Sequence, residues 1–202
     1  MIKHLFKTAL SLFGKLLIAK FFAFVLSVTL LMALSGLIGS ILTQFCAFML
    51  VVVLLYSSAW EIGDKDANMA SIGRRKRDAL LGLKAGLIAA VPDLALGIML
   101  LLSKGGAISE RFSVLYSLLN CNYLPLQQAL LPPTLTAAEQ SWAGYVIMAL
   151  TALIAPMCAA FGYALGLNRT SISEILFYHT PESRARHEER LKARRQKRRF
   201  HA

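Results

Sequence analysis

Charge is missing from long stretches of this chain. From Phe21 to Trp60, forty consecutive residues include no Asp, Glu, Lys or Arg, and Trp142 to Leu167 includes none either. Charged residues make up only 16% of the 202, against 56% hydrophobic. A soluble domain needs a mostly polar exterior, and so few clustered charges cannot supply one. Cysteine is scarce as well. Cys46, Cys121 and Cys158 sit at unrelated spacings, which excludes a disulfide framework and a zinc-ligand pattern.

The apolar runs also lack histidine, and His4, His179, His187 and His201 all lie near the chain ends or outside the runs. No HExxH, GxSxG, CxxC or P-loop pattern occurs, nor a pair of carboxylates at membrane depth, so an enzyme is not the expected class and no metal or cofactor is implied. Asp64-Lys-Asp66-Ala-Asn68 resembles the opening of a calcium loop. Met69 stands at the glycine position and Arg75 where the closing glutamate belongs, so the oxygen cage cannot be completed and a polar turn is expected there.

What the chain has in quantity is apolar sequence of spanning length. A forty-residue helix would be about 60 Å long, twice the roughly 30 Å hydrocarbon thickness, so the first run must fold back on itself. Ser35, Gly36, Gly39, Ser40, Thr43 and Gln44 place the reversal around residues 36–44. The expected fold is all-α and polytopic, with four transmembrane helices at about 16–38, 41–60, 80–103 and 142–167 arranged as two hairpins. Residues 1–15 read as an amphipathic interfacial segment, with His4, Lys7, Thr8, Ser11 and Lys15 on one face and Leu5, Phe6, Leu10, Phe13 and Leu17 on the other. Residues 16–168 form the membrane domain, and 169–202 a basic tail. Tyr56 and Trp60 are expected at an interface. Thr136 to Glu139 matches a capping box for the fourth span, and Gly166 to Arg169 a helix exit.

Twenty of the 22 Lys and Arg residues fall on one side of this arrangement, and only Lys104 and Arg111 on the other. The basic side is expected to be cytoplasmic, which puts both termini in the cytoplasm of a multi-pass cell-membrane protein. The connection 104–141 is apolar for a loop and is expected to cap the outer end or dip into it.

Three groups of residues are candidates for function. Asp93 is the one acid within a span, near the middle of the third. At a helix centre it costs about 2.5–3.5 kcal/mol on insertion scales, so a partner or a purpose is expected. No ionic partner for it is evident in the sequence. Pro92 frees a carbonyl beside it, and Ser27, Thr29 and Thr151 lie at comparable depths. A protonatable acid there suits a proton-coupled or cation-binding step, and interhelical glue is the plainer role.

The second group is a small-residue face on span four, Ala152, Ala155, Ala159, Gly162 and Gly166, suited to packing within the chain, against a second copy or against another membrane protein. Pro156 interrupts that span. The third is the tail, where Arg184, Arg186, Arg190, Lys192, Arg194, Arg195, Lys197, Arg198 and Arg199 face only two acids over the same stretch. Anionic lipid headgroups are its natural partner, with the ribosome or nucleic acid behind; no aromatic interleaving supports base stacking. The leading expectation is a transport-associated or accessory membrane subunit. The alternatives are a scaffold or biogenesis factor acting through the tail, and a homo-oligomeric pore.

Overall fold

The structure is a computed structural model that describes residues 2–34, 36–75, 77–109, 111–132 and 139–170; the tail candidates and the Thr136 cap lie outside them. Those residues form helices and connecting turns, with no strand among them. Two long helices open the chain, α1 (Ile2–Ala33) and α2 (Gly36–Ser71). Then come α3 (Leu81–Ala89) and α4 (Val91–Lys104), α5 (Phe112–Leu119), a 3₁₀ turn (Cys121–Tyr123) and α6 (Leu124–Leu130). The chain ends its described part with α7 (Trp142–Leu150), a second 3₁₀ turn (Thr151–Leu153) and α8 (Ile154–Leu167).

Three helical stretches are long and apolar enough to cross a membrane: Ile2–Ala33, Gly36–Ser71 and Trp142–Leu167. The pair α3–α4 makes a fourth if its two halves, bent by 56°, count as one broken span. The bend follows from the sequence. Pro92 has no amide to give the carbonyl of Ile88, so the ladder is interrupted at Ala90 and α4 starts afresh with proline in its first turn. Pro156 acts in the same way on the last stretch, where the ladder tightens into the 3₁₀ turn just ahead of it.

The first reversal lies earlier than residues 36–44. Helix α1 stops at Ala33 and α2 starts at Gly36, whose φ of +85° is a left-handed conformation that glycine adopts at little cost. Helix α2 continues eleven residues past Trp60 to Ser71, so Asp64 to Asn68 is helix rather than a turn. No break in α1 marks a boundary near residue 15. Thr8, Ala9, Leu12, Leu16, Ala19, Ala23 and Ser27 form one buried stripe along its length. Phe6, Leu10 and Leu17 are exposed instead. The division of faces expected for residues 1–15 is not kept: Leu5 and Phe13 of the apolar set pack against the core, and of the polar set Thr8 is buried while Lys7, Ser11 and Lys15 are exposed.

The packing changes in character along the bundle. At the end carrying His4 and Ser71, α1, α2, α3 and α8 enclose a thin core rich in alanine, including Ala59, Ala85, Ala89 and Ala159. Gly162 approaches α2 so closely that a Cβ on it would lie 2.6 Å from the Tyr56 carbonyl oxygen, and Gly166 meets Trp60 in the same way. Ala159 packs on Gly86 of α3. This small-residue face is thus consumed inside the chain. At the other end the core is aromatic, with Phe112, Tyr116, Tyr123 and Tyr145 around Leu100 and Met148. Ser141 caps α7 by accepting from the amide of Ala143. The last helix ends at Leu167, and Arg169, with φ of +57°, takes the left-handed position after it.

Candidate functional site

Both helix breaks face one spot. Asp93 stands in the first turn of α4, just after the Ala90 bend. Across from it, Lys20 on α1 donates from Nζ to Asp93 Oδ1 at 2.5 Å. Its second acceptor is Asn120 Oδ1, at 2.9 Å. Lys20 lies about 20 Å along α1 from its Ala33 end and Val51 about 22 Å along α2 from Gly36, so the pair sits near the middle of both long helices. The two side chains are 16% and 14% exposed. Asp93 therefore has an ionic partner, contrary to the sequence reading. Lys20 was legible only as one more basic residue ahead of the first uncharged run, and the pairing needed α1 and α4 to be adjacent.

Asn120 comes from the connection between α4 and α7. Helix α5 packs back along α4 and α6 packs against α2, and the residues between them, Asn120 to Tyr123, reach the ion pair. Asn120, Asn122 and Tyr123 are all buried. Gln127 Nε2 holds the carbonyl of Asn120 at 3.2 Å, and Gln44 Oε1 on α2 accepts the amide of Leu126 at 3.2 Å. Tyr116 is anchored through its hydroxyl to the carbonyl of Met148. In this hairpin Phe112 and Tyr116 face the core, whereas Leu115, Leu118 and Leu119 are exposed.

Between these groups lies a small cavity of about 10 Å³, room for a water-sized body. Asp93, Asn120, Asn122, Tyr116, Tyr123 and Thr151 all line it. The Asn122 Oδ1 atom is buried without a hydrogen-bond partner. Thr151, from the second 3₁₀ turn, is the one hydroxyl of the three expected near Asp93 that reaches the cavity. Ser27 is fully buried, but nearly two turns away and unpartnered. Thr29 is spent on its own helix, donating to the carbonyl of Val25 at 2.8 Å. Equal depth does not put residues on the same face. Pro92 is turned away, into an open apolar groove with Phe6, Leu10 and Phe13.

A second polar cluster closes the opposite end of the bundle. Asp66 on α2, 4% exposed, accepts from Arg75 and from the Tyr163 hydroxyl at 3.0 Å, and lies 3.6 Å from His4 Nε2. These groups border a cavity of about 360 Å³ together with Arg74 and Asp78. Sequence reading missed this cluster by taking the Asp66 segment for a turn. The signal was available: Asp66 and Ala67 continue the spacing of Ala59 and Gly63, a buried helical stripe. Among the described residues no three His, Cys, Asp or Glu side chains are grouped to hold a metal ion.

No protein-family model, curated protein or solved structure matches this chain.

Proposed function

We propose that this chain is a four-span cell-membrane protein with both termini in the cytoplasm, acting as a transport-associated or accessory membrane subunit whose working centre is the Lys20–Asp93 pair. The carrying observation is that pair, set where a broken helix and the tip of a helical hairpin meet at mid-bundle. Irregular backbone at membrane depth is tolerated only where protein or a polar cavity surrounds it. Discontinuous helices that present free backbone and charge at the midplane are a recurrent way to build an ion or substrate site. Ionisable residues there are costly and mark function by default.

With α3 and α4 counted as one crossing, the His4 and Ser71 end carries the basic residues, and the α5–α6 hairpin enters from the outer side as a re-entrant element. The cavity at the pair is far too small for an organic solute. It suits a proton, an ion or a conformational lock, and the close small-residue packing of α8 leaves no support for an open pore through one copy.

The test is complementation of a deletion strain between about pH 5 and 8. Asp93→Asn and Lys20→Met should each fail to complement while still reaching the membrane, and the exchanged double variant Lys20→Asp/Asp93→Lys should recover part of the activity. Full function of both single variants across that range would reject a working role for the pair. A scaffold acting through the basic tail is the second reading, favoured by the nine cations between Arg184 and Arg199. Deleting the tail would cripple that role and spare the first.

A further inference from the structure

We propose that the cavity bordered by His4, Asp66, Arg75 and Tyr163 holds the phosphodiester of an anionic phospholipid headgroup, with Arg74 as its counter-ion. The site is separate from the Lys20–Asp93 pair. It takes from the membrane reading only that this end of the bundle meets the headgroups. Size is the first argument. At about 360 Å³ the cavity falls in the range that holds small molecules, whereas the one at mid-bundle does not.

Charge is the second. Asp66 is neutralised by Arg75. Arg75 Nη1 also lies 2.7 Å from His4 Nε2. An arginine N–H can only donate, so that ring nitrogen accepts and the imidazole carries no charge. Asp78 accepts from Lys84 Nζ at 3.0 Å. Arg77 does not border the cavity, and its guanidinium donates to the Leu167 carbonyl. Arg74 is left over. It lines the cavity, and among the described residues its guanidinium has no hydrogen-bond or ion-pair partner. The wall therefore carries one uncompensated positive charge. A phosphate monoester, with about 1.5–2 negative charges at pH 7, overshoots it. A phosphodiester carries one, and the guanidinium fork matches two of its oxygens.

Position selects the lipid. With Trp60 at the hydrocarbon edge, Asp66 follows by six residues, about 9 Å of helix. The polar layer of a bilayer is about 5–8 Å deep on each side, so the cavity stands at headgroup level. Met69, Ile72 and Leu80, in the same stretch of chain as Arg74, are exposed. Cations among exposed apolar side chains seat a surface in the interfacial layer. Basic pockets between helices at that level are where anionic headgroups bind.

The experiment uses the full chain in mixed micelles holding equal amounts of a phosphoglycerol and a phosphocholine lipid. Native mass spectrometry counts the lipid retained per chain. The wild type should keep one phosphoglycerol lipid in preference to the zwitterion. Arg74→Gln should weaken that binding about fivefold, the worth of one cation near a membrane surface. Asp78→Asn removes an acid from the wall and should tighten it, a gain that misfolding cannot imitate. Arg199→Gln and Glu182→Gln make the same charge changes in the tail and should leave the tightest-bound lipid unaffected. Retention that ignores headgroup charge, or that shifts as much with the tail variants as with the cavity variants, overturns the proposal. If inorganic phosphate or glycerol phosphate raises the unfolding midpoint of the wild type but not of Arg74→Gln, with no lipid preference, the ligand is a soluble phosphate and the headgroup assignment is overturned. Asp93→Asn should retain the lipid as the wild type does, so failure of either site leaves the other standing.

Discussion

Tyr163 donates its phenolic hydroxyl to Asp66 at 3.0 Å, joining α8 to the last turns of α2 across 97 positions of sequence. The same carboxylate neutralises Arg75 of the α2–α3 connection and faces His4 of α1, so one acid ties four segments at the end of the bundle. Asp66→Asn should lower unfolding stability by about 1–3 kcal/mol, less than for a fully buried pair because Arg75 is 35% exposed. Tyr163→Phe should cost about 1 kcal/mol. Denaturant titration in mild detergent reads both, and wild-type stability of both variants would show that the cluster holds nothing together.

Glycines on two helices should respond in opposite senses to the same change. Gly162→Ala drives a methyl to within 2.6 Å of the Tyr56 carbonyl oxygen, where backbone cannot give way. The expected loss is about 1–3 kcal/mol from overpacking. Gly14→Ala meets nothing within 4 Å and sits inside α1, so it should stabilise by about 0.5–1 kcal/mol. Equal effects from both would mean that α8 does not approach α2 this closely in the membrane.

Orientation is testable with single cysteines in a background lacking Cys46, Cys121 and Cys158. Ala107 and Asn68 are exposed at opposite ends of the bundle. A membrane-impermeant thiol reagent should label Ala107→Cys in intact cells and Asn68→Cys only after permeabilisation. The reverse pattern would invert the proposed topology.

For the tail, a peptide covering Pro181 to Ala202 should bind vesicles containing anionic lipid and release as salt rises. Nine cations and two acids lie between Arg184 and Arg199, and each cation near the surface contributes about 1 kcal/mol that screening removes. Equal binding to neutral vesicles, or none to anionic ones, would turn the search toward a protein or RNA partner.

Residues read along the chain were enough for some of this molecule. The uncharged runs, the prolines at 92 and 156 and the glycines of the last span act through their own backbone or through the solvent around them, so helices of spanning length, interrupted ladders and a close-packing face were legible locally. Asp93 stood out for the same reason, as a lone acid in apolar sequence. Its partner did not, because Lys20 reaches Asp93 and Asn120, 73 and 100 residues further along the chain, only after α1, α4 and the α5–α6 hairpin pack together. Nor could periodicity tell which side of α1 faces inward. The buried stripe runs between the two faces, taking in Thr8 from one and leaving Leu5 and Phe13 of the other packed against the core. Tertiary packing alone made that choice, and with it gave Lys20 a carboxylate and Asp66 a tyrosine.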